Sequence, residues 1–146
     1  MLFISPWLST ERKLPSSIVA KLNEVTPIER HGDILVKRED LFEYAGVRGG
    51  KVRTCLYLMY GAGGVVTAGS RYSPQVNIVA HIARKLKIPS TGHTPQGKLS
   101  PELLDAQSCG MEIIQHPMGF TSVIYARARA DARERGWQHV PFGMKC

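Results

Sequence analysis

The chain has 146 residues, of which 43% are hydrophobic and 21% charged, a balance that predicts one globular domain with a buried core. The net charge of +7 favours an anionic partner such as nucleic acid, a phosphate-bearing cofactor or an acidic protein surface, although solubility alone also explains it. No apolar run reaches the roughly 18 residues of a membrane span, and the N-terminus lacks the basic segment of a signal peptide, so the cytoplasm is expected.

The N-terminal third of the chain is predicted to form an arm ahead of a more regular region. Residues 1–33 contain three prolines and one short predicted helix, SSIVAKLNEV. DILVKRED follows as a predicted strand, and a helix is predicted from Gly50 to about Tyr60, where the glycines of GAGG end it. We assign residues 1–52 to the arm and residues 53–146 to a small α/β domain.

Beyond the arm, predicted strands and helices alternate regularly. The strands are GVVTAG, IPSTGHT, MEIIQH and WQHVPFGM, and the helices between them are PQVNIVAHIARKLK, SPELLDAQSCG and TSVIYARARADARERG. This alternation predicts the α/β class, with an open parallel sheet of about four strands, flanking helices and right-handed crossovers. Ligands of such sheets bind at the carboxyl ends of the strands, so TAGSRYSPQ and GHTPQGK are candidate site segments.

The arginines of the last predicted helix raise the question of nucleic-acid binding. Arg129 and Arg133 share one helix face, whereas Arg127 and Arg135 point elsewhere. Because a nucleic-acid stripe would align all four, we interpret this helix as a solvated surface, and nucleic-acid binding is the least favoured function.

The spacing of cysteine and histidine predicts neither a disulfide framework nor a zinc motif. Cys55, Cys109 and Cys146 are far apart and form no C-x-x-C pair, and the five histidines are scattered. The sequence therefore predicts no metal site from spacing. A site that the fold assembles from distant residues remains the alternative.

The segment VRGGKVRTC places two glycines directly before Lys51, at the start of a predicted helix. It fails the phosphate-binding pattern G-x-x-x-x-G-K-[ST], because Ala45 replaces the leading glycine and Val52 the hydroxyl residue. GAGGVVTAG likewise fails the dinucleotide pattern, with Val66 in place of the third glycine. A lysine at a helix N-terminus lies at the positive end of the dipole, which favours the neutral amine that forms Schiff bases. An ordinary surface lysine is the alternative.

An ordered set of segments surrounds this lysine. The segments are TPIE, ILVKREDL, RGGKVRTCLYLM, TAGSRYSPQVNIVAHIARKLKIP, SCGMEIIQHP and WQHVPFGM, which together cover roughly residues 26–144. The set resembles the fold-type II pyridoxal-phosphate-dependent enzymes, the tryptophan synthase beta-like family. It is nearest the branch of aminocyclopropane-carboxylate deaminase and D-cysteine desulfhydrase. The resemblance implies pyridoxal 5'-phosphate as cofactor, and lyase or deaminase chemistry on a small amino acid.

The resemblance also implies a cofactor-binding segment around the lysine. Lys51 matches the family's Schiff-base lysine, which is also a catalytic residue, and Gly50 and Arg53 belong to the same cofactor-binding motif. Gly50 departs from the family, which has asparagine at that position.

The loop TAGSRYSPQ matches the family's substrate loop. Ser73 corresponds to a catalytic serine that faces the substrate carboxylate, and Ser70 and Gln75 are further implied substrate-binding residues. Ser73 is equally explained as a helix N-cap ahead of Pro74. Pro74 replaces a family asparagine that contacts the cofactor ring, and proline offers neither a polar side chain nor an N–H.

The matched family members are about twice as long as this chain. Their second half supplies the phosphate-binding loop and the partner of the pyridine nitrogen. The resemblance therefore implies a complementary C-terminal-half polypeptide, or a second copy of this chain, as partner, and the N-terminal strands predict self-association. The alternative is a non-catalytic descendant that retains the fold as a binding or assembly module.

Overall fold

The computed structural model describes residues 13–144. The helices in that range are α1 (Ser16–Leu22), α2 (Gly50–Met59), α3 (Pro74–Leu86), α4 (Pro101–Ser108) and α5 (Thr121–Arg135). The strands are β1 (Ile28–His31), β2 (Ile34–Lys37), β3 (Glu43–Tyr44), β4 (Val47–Arg48), β5 (Val65–Ala68), β6 (Ser90–Pro95), β7 (Glu112–His116) and β8 (Gln138–Val140). Across the described residues, no helix is both long enough and apolar enough to span a membrane.

A parallel four-stranded sheet lies at the centre of the fold, in the order β7-β6-β5-β8. Val65 of β5 lies opposite Ser90 of β6 on one side and opposite Gln138 of β8 on the other. Because all four strands run the same way, the residues that follow them meet at one edge, which we call the carboxyl edge (residues 69–73, 96–100, 117–120 and 141–144). The predicted α/β class, with four parallel strands and flanking helices, is confirmed.

The helix boundaries follow the capping signals in the sequence. The hydroxyl of Ser73 caps α3 and that of Ser100 caps α4, and in each helix proline occupies the first position. Gly136 ends α5 in the left-handed conformation, with φ of 68°. The final strand is shorter than predicted, because Pro141 has no N–H to extend the ladder and a 3-10 turn (Phe142–Met144) follows it.

The main core lies between one face of the sheet and the helices α2, α3 and α4. The four residues of β5 are buried, as expected for a central parallel strand. Helix α3 buries the predicted apolar stripe and also the two isoleucines beside it. The buried apolar residues of α3 are Val76, Ile78, Val79, Ala80, Ile82 and Ala83.

The arm contributes to this core. Phe42 is 0% exposed and lies in the same apolar cluster as Val52 and Leu56 of α2. Helix α2 itself begins at Gly50, so it crosses the position assigned to the end of the arm. The division at residue 52 stays a prediction, and the packing of Phe42 joins its two sides.

Residues 28–37 form an antiparallel hairpin, the β1–β2 hairpin, where the sequence predicts a single strand. Strand β1 has the sequence IERH, whose three polar residues conceal it from a search for apolar alternation. Ile28 pairs with Lys37 on one face of the hairpin, and Ile34 pairs with His31 on the other. Ile28 and Ile34 are each 66% exposed, so both faces present apolar side chains to solvent.

Gly64 immediately precedes β5 and lies against the indole ring of Trp137. A Cβ at Gly64 would come within 2.4 to 2.8 Å of three atoms of that ring. Because the ring is rigid, we expect Gly64→Ala to lower the free energy of unfolding by about 1 to 3 kcal/mol, measured by urea denaturation. Gly63→Ala is the matched control, since a Cβ there meets nothing within 4 Å. Equal stability losses in the two variants would contradict this packing.

Candidate active site

The connectivity brings the N-termini of α2 and α3 to the carboxyl edge. Helix α3 starts directly after the loop that leaves β5. Helix α2 ends only a short turn (residues 60–64) before β5 begins, so its C-terminus lies at the amino end of that strand. Its N-terminus points the other way, and α2 also contacts the 3-10 turn that follows β8. Lys51 and Ser73 therefore lie at two helix N-termini on one edge of the sheet.

The two glycines before Lys51 have different roles. Gly49 is the N-cap of α2 and has φ of 126° and ψ of 165°, a conformation that residues with a Cβ rarely adopt. Gly50 is helical, and a Cβ there would approach only the Cβ of Glu39, at 3.4 Å. The backbone therefore requires the first glycine and not the second. Lys51 is exposed, and within residues 13–144 no side-chain hydrogen bond or ion pair engages its amine.

The loop around Ser73 is held in place from both sides. The Ser73 hydroxyl accepts a hydrogen bond from the Gln75 N–H at 3.3 Å, and the Ser73 N–H donates to the carbonyl of Ser70 at 3.1 Å. The Arg71 guanidinium donates to the Lys98 carbonyl at 2.9 Å, which ties this loop to the one after β6. Ser73 thus acts as the N-cap, and Ser70 is exposed beside it.

Gly69 allows the chain to turn closely against the start of α3. A Cβ at Gly69 would lie 2.9 Å from the Ser73 Cβ and 3.1 Å from a Val76 methyl group. The Gly69 N–H donates to the His93 carbonyl at 3.1 Å, which extends the pairing of β5 and β6. A larger residue would displace the capping serine. The glycine therefore positions Ser73.

Gln75 points into the fold and is 1% exposed. Its amide nitrogen donates to the Thr67 hydroxyl and to the Pro141 carbonyl, both at 3.0 Å, and its amide oxygen accepts from the Gly143 N–H at 3.1 Å. The side-chain amide is therefore committed to a bridge between β5 and the segment after β8. Direct substrate contact by this group, as the resemblance implies, does not match its orientation.

Arg53 is likewise committed to internal contacts. Its guanidinium stacks over the Phe42 ring at 4.1 Å and donates to the carbonyls of Leu22 and Glu24. A further hydrogen bond joins Arg53 Nε to the Glu39 carboxylate at 3.2 Å. Arg53 therefore fastens the arm to α2. Its predicted contact with a cofactor remains untested, and these partners compete for the same donors.

Glu39 is the anionic centre of this fastening. The Thr26 hydroxyl donates to it at 2.6 Å, and the Lys37 ammonium lies 2.9 Å from the same oxygen. Hydrogen bonds from Thr26, Lys37 and Arg53 lower the pKa of Glu39 to about 2. The carboxylate is therefore ionised throughout the neutral range, and the arm stays fastened there.

A hydrogen-bonded chain under α5 was not predicted from the sequence. His93 Nε2 lies 2.8 Å from the Asp131 carboxylate, and His93 Nδ1 lies 2.7 Å from His116 Nε2. The Arg127 guanidinium donates to His116 Nδ1 at 2.9 Å, and Arg135 donates to Asp131 at 2.7 Å. We refer to these five residues as the histidine chain. It spans the sheet face opposite α3 and reaches the carboxyl edge at His116, the last residue of β7.

The histidine chain has one consistent arrangement of protons. Since Arg127 can only donate, His116 accepts at Nδ1 and carries its proton on Nε2, which donates to His93. His93 then donates its own Nε2 proton to Asp131. Burial, together with the neighbouring charges of His93 and Arg127, lowers the pKa of His116, which favours this neutral form. The sequence signal for the chain was a histidine in each of two neighbouring strands, but their pairing depends on the register.

Exposed apolar side chains surround the carboxyl edge. Met118 and Phe120, in the loop between β7 and α5, are each 82% exposed. Tyr72 lies in the loop before α3, and Phe142 lies beyond β8, with its ring 5.1 Å from that of Tyr125. Large apolar side chains grouped in this way are typical of a surface that another molecule covers. We call Tyr72, Met118, Phe120 and Phe142 the apolar rim.

Comparison with solved structures identifies the class of fold, whereas no family model and no curated protein matches the sequence. The structure of an ACC deaminase homologue aligns with a TM-score of 0.65 at 22% identity, over 88% of this chain and 48% of that one. The fold expected from the resemblance to fold-type II pyridoxal-phosphate-dependent enzymes is thereby confirmed.

Two further structures share this fold. A threonine deaminase from the organism abbreviated T.th. aligns with a TM-score of 0.52 at 18% identity, over 62% of this chain and 29% of that one. Selenomethionine-incorporated holo diaminopropionate ammonia lyase from Escherichia coli aligns with a TM-score of 0.51 at 18% identity, over 85% of this chain and 35% of that one. The chain therefore spans half or less of the length of the structures it matches, as expected for an N-terminal half.

Proposed function

We propose that this chain is one part of a pyridoxal-phosphate-dependent lyase or deaminase that acts on a small amino acid. The observation that carries the proposal is the pairing of Lys51 and Ser73 at two helix N-termini on the carboxyl edge. Ligands of open parallel sheets bind at this edge. The amine of Lys51 is free of protein partners in the described range, as a covalent anchor requires.

The residues at this edge fit two ends of such a site. An exposed primary amine can hold an aldehyde cofactor, and the N-terminus of a 13-residue helix offers N–H donors to a carboxylate. Bound pyridoxal phosphate supplies an electron sink that stabilises negative charge on the α-carbon of an amino acid. Lys51 holds the cofactor and moves the α-proton, and Ser73 with Ser70 binds the substrate carboxylate.

The remaining residues implied by the resemblance are assigned positioning roles. Gly50 leaves room for a flat ring to approach the start of α2. Arg53 sets the position of α2 through the arm, and Gln75 sets the segment after β8. Neither side chain needs to touch the cofactor for these roles. Pro74 makes no polar contact in this scheme.

A second chain is proposed to complete the site, either a complementary C-terminal-half polypeptide or a second copy. The exposed β1–β2 hairpin and the apolar rim support this proposal. We expect Leu35→Lys to weaken association about 10- to 100-fold, since burial of a leucine contributes about 1.5 to 3 kcal/mol. Light scattering of the wild type and this variant measures the effect. Val123→Lys on α5, where Val123 is also exposed, is the matched control. A strictly monomeric wild type, alone and with the downstream gene product, would contradict the proposal.

A non-catalytic binding or assembly module is the second candidate function. The internal contacts of Arg53 and Gln75 favour it, as do Gly50 and Pro74 at two positions where the family has asparagine. Both candidates use the same exposed surfaces and differ in cofactor binding. A cytoplasmic location remains a prediction, and nucleic-acid binding remains the least favoured function.

The two candidates are separated by adding pyridoxal phosphate to the purified chain, alone and with the downstream gene product. We expect a visible absorption band that Lys51→Ala removes. Lys98→Ala is the matched control, because Lys98 is an exposed lysine of the carboxyl edge whose structural contact uses only its backbone carbonyl. The absence of a band under both conditions would contradict the enzyme and favour the binding module.

A further inference from the structure

We propose that His81, Asp105 and Cys109 form a binding site for a divalent transition-metal ion, with zinc as the best fit. The three side chains come from the facing surfaces of α3 and α4, on the side of α3 away from the sheet. One ligand atom from each residue lies within 4.8 Å of the other two. This site is separate from the carboxyl edge and does not depend on the proposed function.

The helix geometry creates the cluster. Asn77 and His81 are four residues apart on α3, and Asp105 and Cys109 are four residues apart at the end of α4, so each pair shares one helix face. The two helices pack side by side, which brings the two pairs opposite each other. Since these residues are 24 to 28 positions apart in sequence, their spacing gives no local metal motif.

The carboxylate of Asp105 is already oriented and ionised. His81 Nε2 lies 2.6 Å from Asp105 Oδ2, and the Asn77 amide donates to the same oxygen at 2.7 Å. Hydrogen bonds from His81 and Asn77 lower the pKa of Asp105. Asn77 also donates to the Glu102 carbonyl, which fixes its own orientation. Metal ligands in proteins are commonly held by such outer hydrogen bonds.

The ligand types select the kind of metal ion. A thiolate and an imidazole favour zinc over magnesium or calcium, which prefer oxygen ligands. Tetrahedral zinc places its ligand atoms roughly 3.3 to 3.6 Å apart. The ion would therefore separate His81 from Asp105 slightly and draw in Cys109, which are small side-chain adjustments.

The cluster has a route for the ion and room for a fourth ligand. The side chains of His81 and Asp105 are 22% and 50% exposed, so an ion can enter from solvent and a water molecule can occupy the fourth position. On binding, the Cys109 thiol releases its proton to the solvent and coordinates as thiolate. Affinity therefore falls as the pH is lowered.

Cobalt(II) is the direct probe, because cobalt bound by a thiolate absorbs in the near ultraviolet and visible. We expect protein without a histidine tag to develop these bands, and zinc to displace the cobalt. Cys109→Ser should abolish the bands, and Asn77→Ala should weaken zinc binding about 10-fold by releasing Asp105. His31→Ala is the matched control, since His31 forms an exposed pair with Glu29 at 3.2 Å in the same manner as His81 with Asp105. It should change nothing.

A second measurement needs no variant and so does not depend on how the variants fold. Zinc should slow the reaction of Cys109 with a thiol reagent in the wild-type chain, followed by peptide mapping against Cys146. Protection confined to Cys109 supports the site. Bands that persist in Cys109→Ser, or equal reaction of Cys109 with and without zinc, would show that His81 and Asp105 form only an ion pair.

Discussion

Replacing Phe42 with alanine is expected to lower the free energy of unfolding by about 3 to 5 kcal/mol. Phe42 is fully buried, although it belongs to the arm, and it packs with Val52 and Leu56 in the main core. Truncation removes the burial of the ring and leaves a cavity between the arm and α2. The surrounding helices can close such a cavity only in part, which is why the expected loss exceeds the transfer term alone.

The ring of Phe42 also organises two cations. The Lys21 ammonium lies 4.9 Å from its centroid and the Arg53 guanidinium 4.1 Å, on groups that join α1 and α2 to the arm. Such contacts contribute about 0.5 to 1 kcal/mol each at partly exposed sites. In Phe42→Ala both contacts disappear together, so the loss should exceed that of Leu or Met substitution at the same position.

Urea denaturation followed by circular dichroism measures this loss. Phe142→Ala is the matched control, because Phe142 is 58% exposed and contacts mainly the Tyr125 ring. We expect the control to lose at most about 1.5 kcal/mol, the usual range for an aromatic pair. A Phe42→Ala loss no greater than that of the control would contradict the insertion of the arm into the core.

Replacing Asp131 with asparagine is expected to lower the free energy of unfolding by about 2 to 3 kcal/mol at neutral pH. Asp131 accepts from His93 and Arg135, and its side chain is only 17% exposed. Asparagine offers one acceptor and one donor group, so one of these partners must face an N–H instead of an oxygen. The buried histidine chain then contains an unsatisfied donor, which is the main cost.

The pH dependence of this effect has a defined sign. Burial opposes the ionisation of Asp131, but hydrogen bonds from Arg135 and His93 outweigh it and lower its pKa below 3.8. The stabilisation from a carboxylate with a lowered pKa is fully present above its unfolded pKa and is lost as the pH falls through the folded value. The difference between wild type and Asp131→Asn should therefore be large at pH 7 and shrink in strong acid.

Chemical denaturation of both proteins at pH 7 and about pH 3 tests this dependence. Asp33→Asn serves as the matched control, because Asp33 is fully exposed and lies 4.0 Å from Arg30. We expect the control to change stability by less than about 0.5 kcal/mol at either pH. An Asp131→Asn effect of that same small size at pH 7 would argue against the histidine chain.

The alternating part of the fold was predictable because its signals are local. Ser73 and Ser100 precede prolines, Gly136 follows an arginine-rich run, and β5 is a short apolar run, so each boundary follows from a few neighbouring residues. The arm was less predictable. Strand β1 carries more charge than apolar surface, and β3 and β4 have two residues each, too few for any periodicity.

The candidate site was predictable only in part, since a motif identifies residue types and not their orientation. The motif selected Gln75, but the side chain turns inward because Thr67, Pro141 and Gly143 provide partners that are distant in sequence. The histidine chain and the cluster at Cys109 depend in the same way on strand register and helix packing. Neither leaves a spacing signal along the chain.

Borohydride reduction in the presence of pyridoxal phosphate, followed by peptide mapping, tests the central claim most directly. The account predicts about one reduced pyridoxyl group per chain, attached to the peptide that carries Lys51, since its amine lies free at a helix N-terminus on the carboxyl edge. Other exposed lysines, such as Lys85 and Lys98, should remain largely unlabelled. Label spread evenly over the exposed lysines, or a Lys51 peptide without label, would contradict the account.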